Sequence, residues 1–228
     1  MSDFTHAENA YLHSIAIYKR NGMEKHPDYT NPVNNLGELY RLMGRHEQAF
    51  EKFTEVIELR EQLYGTQHPN YANAVNNLGL VYFGLGYYVE AEKLLLLSKD
   101  IYRATLGENH DYYANCLNNL AILYRIVKRF DEAEYFYNEC LRISKAALGT
   151  DHKNYALYLN GAGILYKDMG NYEKAASMIR EASQIMEAKL GKGNYDYIDM
   201  IYNLAEVYRE MNLTTLSKPI YLEAMQGY

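Results

Sequence analysis

The sequence has 228 residues, of which 48% are hydrophobic and only 4 are proline, so the chain can bury a large apolar core and is not a disordered polymer. Its formal net charge of −6 and the absence of a Lys/Arg run argue against a surface for duplex nucleic acid or for an anionic membrane. No apolar stretch approaches the roughly 18 residues of a membrane span, and the first residues lack the pattern of a signal peptide. The two cysteines, Cys116 and Cys140, have no zinc-type spacing, so we interpret both as reduced packing residues of a cytoplasmic protein.

A phrase of eight residues, Val-Asn-Asn-Leu-Gly-Leu-Val-Tyr in its clearest copy, recurs every 42 residues. A fixed period of this size is the signature of a solenoid, in which each unit buries its apolar face against its neighbours. We therefore predict a single repeat domain over residues 1–228, with a half repeat followed by five repeats. The predicted boundaries are 1–25, 26–67, 68–109, 110–151, 152–193 and 194–228.

The first predicted elements follow from this register. Residues 7–20 align with the second helix of later repeats and predict one helix before the first full repeat. The first helix of each repeat, called helix A, has buried positions at i, i+3, i+4 and i+7, as at Val33, Leu36, Gly37 and Tyr40. We expect the small residue in this stripe to lie where a neighbouring helix comes close.

The second helix of each repeat, called helix B, has an inner stripe such as Ala49, Phe53 and Val56. A glycine follows each of the first four of these helices, and its freedom to adopt a positive φ suits a left-handed helix end. These glycines are Gly65, Gly107, Gly149 and Gly191.

Two helix starts are predicted to depart from the pattern. Asn31 has the features of an N-cap, with Pro32 at the first helical position, so the first helix A should start later than its siblings. In the last repeat, Ser217 can cap a late-starting helix that keeps Pro219 in its first turn, so the C-terminal helix should be short.

The pattern Val33-x-x-Leu36-Gly37-x-x-Tyr40, followed by an alanine and Phe53, resembles the tetratricopeptide repeat. The longer period and the His-Pro-x-Tyr opening resemble the repeats of kinesin light chains and nephrocystin-type proteins. This resemblance implies an all-α, right-handed superhelical solenoid of tetratricopeptide helix pairs with about 11 helices. It also implies a non-catalytic scaffold for protein interactions, because kinesin light chains use the matching asparagines to hold acidic peptides that contain an aromatic residue.

Polar positions at i, i+3, i+7 and i+10 of helix A form a face roughly opposite the buried stripe, and we expect this face to be open and to line a concave groove. A ladder of amides suits an extended peptide backbone, and a column of cations suits carboxylates. An apolar anchor is expected near Phe83, Leu80, Ile122 and Ile164. The predicted peptide-binding residues are Asn34, Asn73, Asn76, Asn115, Asn118, Asn160, Arg41, Phe83, Arg125, Lys167 and Arg209.

Structural roles compete with this hypothesis. Asparagines on adjacent helices can bond to one another, and the basic residues can form salt bridges with Glu38, Asp168, Glu206 or Glu210. A second column of asparagines is interpreted as structural. Its members are Asn35, Asn77, Asn119 and Asn203.

Catalysis is not predicted. Four histidines recur at one phase, but successive repeats are about 10 Å apart, whereas metal ligands converge within about 2 Å of one ion. We therefore expect them in loops or at helix starts. These histidines are His26, His68, His110 and His152. No HExxH, Gly-x-Ser-x-Gly or GxxxxGK[ST] motif is present, so no catalytic residue, metal or cofactor is predicted.

The leading hypothesis is a cytoplasmic adaptor whose concave groove binds a linear, acidic peptide segment of a protein partner, with no role for nucleic acid or membrane. Two alternatives stay open: a regulatory or sensor domain of a larger signalling protein, and an architectural scaffold that uses its convex face or its ends. Homo-oligomers can form through the terminal helices, where Leu216, Ile220 and Met225 are apolar.

Overall fold

The computed structural model describes residues 2–227, with side chains from Phe4 onward, and within this range the chain is entirely helical, with no strand. Eleven α-helices and one short 3₁₀ helix, Pro27–Tyr29, follow one another along the chain. The α-helices are α1 (Ser2–Arg20), α2 (Thr30–Leu42), α3 (His46–Tyr64), α4 (Pro69–Gly84), α5 (Tyr88–Leu106), α6 (Asp111–Ile126), α7 (Phe130–Leu148), α8 (Lys153–Asp168), α9 (Tyr172–Leu190), α10 (Tyr195–Glu210) and α11 (Thr214–Gly227). The number and type of helices confirm the all-α prediction.

The chain forms two compact units, unit 1 up to Gly107 and unit 2 from Glu108. Unit 1 contains α1 to α5, and unit 2 contains α6 to α11. Within each unit, every helix packs against the next one in the chain. The A helices also touch one another directly, α2 with α4 in unit 1, and α8 with both α6 and α10 in unit 2.

The repeating histidines start helices, as the sequence predicts. His68, His110 and His152 have extended backbones, and each Nδ1 accepts a hydrogen bond from the N–H two residues later, at 3.1 to 3.2 Å. Asn194 does the same at the start of α10, where its Oδ1 accepts from the N–H of Asp196 at 3.0 Å. Each side chain thereby satisfies at least one of the free N–H groups of a helix start. Across residues 2–227, no group of three His, Cys, Asp or Glu side chains could hold a metal ion.

The glycines that end helix B have the predicted positive φ but a different ψ. Gly65, Gly107, Gly149 and Gly191 combine φ of 77° to 86° with ψ of 166° to 170°. This is an extended conformation almost restricted to glycine, and the prediction of a left-handed helical ending is wrong in ψ. The chain thus leaves each helix B extended and reaches the next histidine cap.

The prediction that Asn31 caps α2 is wrong, although α2 does start later than its siblings. The 3₁₀ turn precedes α2, and the helix begins at Thr30, so that Asn31 is its second residue. A helix that began next to His26, as in the other repeats, would put Pro32 deep enough for its ring to clash with a carbonyl one turn earlier. Starting at Thr30 keeps Pro32 in the first turn, where its missing N–H is not needed.

The prediction for the start of α11 is also wrong. The helix begins at Thr214, so Ser217 lies inside it, where its Oγ donates to the Thr214 carbonyl at 3.5 Å, and Pro219 is the sixth residue. Ser217 is buried at the position that alanine occupies in the other B helices. The helix is short, as predicted, with 14 residues against 19 in α9.

The packing confirms the apolar stripes. Val33, Leu36 and Phe53 are fully buried in one cluster of unit 1. A Cβ added to Gly163 in unit 2 would lie 2.5 Å from Ile179 Cγ1, which shows that α9 crosses α8 where the sequence has its small residue. The two cysteines are free and buried in unit 2, in agreement with a packing role.

Candidate functional site

The predicted peptide-binding residues lie on the A helices, and we call the side of these helices that carries them the helix-A surface of each unit. In unit 1 it belongs to α2 and α4, and in unit 2 to α6, α8 and α10. The two units differ in how far these side chains are already engaged within the protein.

In unit 1 the amides bond to one another. Asn77 Nδ2 donates to Asn34 Oδ1, and Asn76 Nδ2 donates to Asn77 Oδ1, both at 3.3 Å. Asn76 is only 9% exposed, so the prediction that this face is open is wrong here. The physical reason is the direct contact between α2 and α4, which covers the amides and uses them to join the two helices.

Asn73 is held by a buried arginine. Arg60 on α3 is 5% exposed and donates to Asn73 Oδ1 at 2.9 Å, to the Asn70 carbonyl at 2.8 Å and to Thr30 Oγ1 at 3.3 Å. Burial lowers the pKa of Arg60. Because every one of these acceptors is neutral and belongs to a neighbouring helix, Arg60 joins α2, α3 and α4, and it occupies the acceptor of Asn73.

The remaining predicted residues of unit 1 are also engaged. Arg41 forms a two-pronged ion pair with Glu38 at 2.7 and 2.8 Å, and the hydrogen bonds to that carboxylate raise the pKa of Arg41. The ring of Phe83 packs against Tyr88, with 5.8 Å between centroids. The competing structural interpretation therefore describes unit 1 well.

In unit 2, three of the predicted residues have internal partners. Asn115 Oδ1 accepts from the Tyr158 hydroxyl at 2.7 Å, and Arg125 pairs with Asp168 at 2.6 Å. Arg209 donates to both Glu206 and Glu210, at 2.7 and 2.8 Å. Together with Arg41 of unit 1, all three arginines of the predicted cationic column thus form the salt bridges that compete with ligand binding.

Three other predicted residues of unit 2 are left with unused polar groups. No side-chain hydrogen bond or ion pair joins Asn118 or Lys167 to another residue of the described range. Asn160 is 8% exposed, which contradicts the predicted openness, and its Oδ1 is buried without a hydrogen-bond partner. Ile122 and Ile164 lie half-buried beside them. Asn160, Ile164 and Lys167 are spaced i, i+4 and i+7 along α8 and therefore share one face.

Asp199 on α10 was not among the residues predicted from the sequence. It occupies the position of Asn73 and Asn115, three and two periods later respectively, and its Oδ2 accepts from Asn203 Nδ2 at 3.1 Å. Burial and, to a smaller extent, the charge of Asp196 raise the pKa of Asp199. The sequence feature that could have pointed to this residue is the change from the amides of Asn73 and Asn115 to the carboxylate of Asp199 in the same column.

A cavity of about 420 Å³ lies at one edge of this surface in unit 2. It is lined by the paired Arg125 and Asp168 together with Ile126, Lys128 and Phe130. Arg125 Nε is buried and has no hydrogen-bond partner, although Arg125 Nη1 bonds to Asp168.

The helix pairs repeat with one period, pack through the same stripe and in most repeats start with a histidine cap. These features define an all-α helical repeat protein. The sequence matches the tetratricopeptide repeat family over residues 1–62, 29–95, 72–146 and 128–188, and the chain belongs to this family. No curated protein sequence is significantly similar to it. No helix within residues 2–227 is long and apolar enough to cross a membrane.

Solved structures share this fold at low sequence identity. BtubC (BKLC) from P. vanneervenii has a TM-score of 0.79 and 20% identity, with 98% of this chain and 90% of that chain covered. A putative kinesin light chain with nearly identical TPR-like repeats from Podosopora anserina has a TM-score of 0.70 and 18% identity, covering 89% and 95%. NprR in complex with its cognate peptide NprX has a TM-score of 0.72 and 18% identity; 96% of this chain matches 62% of NprR.

Proposed function

We propose that this protein is a non-catalytic interaction module that binds an extended peptide segment of a partner protein on the helix-A surface of unit 2. The observation that carries the proposal is the face of α8, where the Asn160 amide has a buried oxygen with no partner and Lys167 has no anion. Lys167 and Asn118 are partly exposed, so a ligand can reach their unused donors and acceptors.

The chemistry of this face suits a peptide backbone. An asparagine side chain offers both a donor and an acceptor, and a half turn about its last bond exchanges the two. Asn118, which is partly exposed on α6, can therefore pair with the N–H and C=O groups of an extended segment. Ile122 and Ile164 provide the apolar contact for a side chain that points toward the protein.

The ligand is proposed to be acidic because of Lys167. A carboxylate that approaches Arg125 or Arg209 must displace Asp168 or Glu206, whereas one that approaches Lys167 replaces only water. We therefore assign the main contact with an acidic side chain to Lys167 rather than to the predicted arginines.

The fold comparison supports the proposal at the level of architecture. NprR is solved with its cognate peptide, and a Rap protein, with 13% identity to this chain, is solved with Competence and Sporulation Factor. A scaffold of this fold can thus present a surface to a peptide. In the proposal the chain acts as a cytoplasmic adaptor whose partner is a protein, not a nucleic acid or a membrane.

The test is a fluorescent array of extended peptides that vary in acidity and apolar content, measured against the wild-type chain and two double variants. Asn160→Ala/Lys167→Glu alters the proposed site. Asn138→Ala/Lys145→Glu makes the same changes on exposed positions of α7 and serves as the matched control. We expect acidic peptides to bind the wild type and the control, and to bind the site variant at least tenfold more weakly. Equal binding to all three chains, or no binding by the wild type, would overturn the proposal.

A further inference from the structure

We infer that a site at the α10 end of the helix-A surface in unit 2, formed by Asp199 and Tyr202 together with Tyr221 of α11, binds a basic side chain of the ligand, either Lys or Arg. The inference rests on the proposed function and deepens it, because it makes the ligand a peptide with charges of both signs. We call these three residues the α10 acidic site.

Asp199 has an incomplete set of hydrogen-bond partners. Its carboxylate can accept about four hydrogen bonds, and the structure provides one, from the neutral amide of Asn203 at 3.1 Å. No Lys, Arg or His side chain forms an ion pair with Asp199 in the part of the chain that the structure describes. Burial of a carboxylate without a cation is costly, and Asp196 adds a second negative charge nearby.

The cation on the same face of α10 is already used. Arg209 lies on the same face of α10, at a spacing of i+10 from Asp199, but it donates to Glu206 and Glu210. Glu206 accepts a hydrogen bond from the Tyr221 hydroxyl as well. Arg209 lies about 15 Å along the helix from Asp199 and is already paired with two carboxylates, so this end of the surface keeps a net negative charge.

Two tyrosine rings form an aromatic wall at this end of the surface. Tyr202 follows Asp199 by one helical turn and is 42% exposed, whereas the preceding repeats have asparagine at this position. Its ring meets Tyr221 edge-on, with 5.6 Å between centroids, and the hydrogen bond of Tyr221 to Glu206 fixes that ring. An exposed tyrosine face beside a carboxylate suits the aliphatic stem and the charged head of Lys or Arg.

A lysine or arginine explains these observations better than a metal ion. Divalent cations need several ligands that converge on one point, and no group of three acidic or histidine side chains does so within residues 2–227. A single carboxylate next to an aromatic ring provides one charged contact and one apolar contact, which is what a long basic side chain requires.

The experiment uses peptides that bind in the array and that contain a Lys or Arg, each paired with an analogue in which that residue is Gln. We expect the Lys or Arg peptide to bind the wild type about five- to tenfold more tightly than its Gln analogue. Asp199→Asn should abolish this preference, so that the two peptides of each pair bind the variant equally. The matched control, Asp131→Asn, removes an exposed carboxylate from α7 and should keep the preference. Equal binding of the paired peptides to the wild type, or a preference that survives Asp199→Asn, would overturn the inference.

A second measurement separates this inference from the proposed function. The pKa of Asp199 is followed by carboxyl ¹³C NMR while N-acetyl-arginine methylamide is added to the full chain. We expect the pKa to fall as the cation binds, with a smaller fall in Tyr202→Ala. This result is possible even if no peptide of the array binds, in which case the proposed function fails and the α10 acidic site stands. A pKa that does not change with the probe overturns the site itself.

Discussion

At the scale of single residues, the two turns that lack glycine carry local strain. Lys128 and Asn212 adopt φ of 61° and 59° in the turns between helices A and B, where the other repeats have Gly44, Gly86 and Gly170. Asparagine tolerates this conformation, whereas for lysine it costs roughly 1–2 kcal/mol.

Lys128→Gly should therefore raise the free energy of unfolding by about 0.5–1 kcal/mol, part of the relief being offset by the greater freedom of glycine in the unfolded chain. Lys145→Gly is the control, because it removes the same side chain from within a helix and should lower stability by about 1 kcal/mol. Urea denaturation measures both. If Lys128→Gly lowers the free energy of unfolding as much as Lys145→Gly does, the backbone at Lys128 is not strained.

Asp199 gives a prediction with a defined pH dependence. Burial raises its pKa in the folded chain above the unfolded value, so at neutral pH the ionised carboxylate destabilises the fold. Asp199→Asn should be more stable than the wild type at pH 7. The difference should shrink as the pH falls through the folded pKa, and vanish below the unfolded pKa of about 3.9. Thermal unfolding of both chains between pH 7 and pH 3 measures this difference in stability. If the wild type is the more stable chain at pH 7, favourable interactions of the ionised Asp199 outweigh the cost of its burial.

At the scale of helices, the crossing of α8 and α9 depends on Gly163. A Cβ there would lie 2.5 Å from Ile179 Cγ1 and 3.3 Å from the Ala175 carbonyl, and Ile179 is fully buried. Overpacking costs about 1–3 kcal/mol and outweighs the roughly 1 kcal/mol that alanine adds to a helix.

Gly163→Ala should accordingly lower the free energy of unfolding by up to about 2 kcal/mol. Gly193→Ala is its control in the same unit, since a Cβ at Gly193 meets nothing within 4 Å. Chemical denaturation measures both variants. If Gly163→Ala is as stable as the control, α9 can move away from the added methyl group without losing stability.

The helices were largely predictable because they depend on local and periodic features. The 42-residue period located every helix A, and the histidine and glycine columns located the ends of most helices. The errors at Asn31 and Ser217 arose where proline and a cap residue occur together, because either of two starts keeps the proline near the first turn. Only the packing around the helix decides between them.

The candidate site was less predictable. The residues of the helix-A surface could be identified, but a sequence does not tell whether Arg125 pairs with Asp168 or with a ligand, since both interactions use the same groups. It also could not show that adjacent A helices cover Asn76 and Asn160. Partner choice among polar side chains depends on distances that only the folded chain provides.

At the scale of the whole molecule, the prediction of homo-oligomers concerns α11. Met225 is 73% exposed and Leu216 is 48% exposed, whereas Ile220 packs inward against α10 and is not available. If α11 forms an interface, Leu216→Lys/Met225→Lys should reduce the mass measured by analytical ultracentrifugation to that of the 26.5 kDa monomer. A wild type that is already monomeric at high concentration would contradict the prediction.

The central claim is that unit 2 binds a peptide through its helix-A surface, and the most direct measurement is an NMR map of the bound peptide. The tightest binder of the array is added to the ¹⁵N-labelled full chain, and the amide shifts of all helices are followed. We expect the changes to concentrate on α6, α8 and α10, with those of the Asn118 and Asn160 side-chain amides among the largest. Changes confined to α7 and α9, or to unit 1, would contradict the central claim.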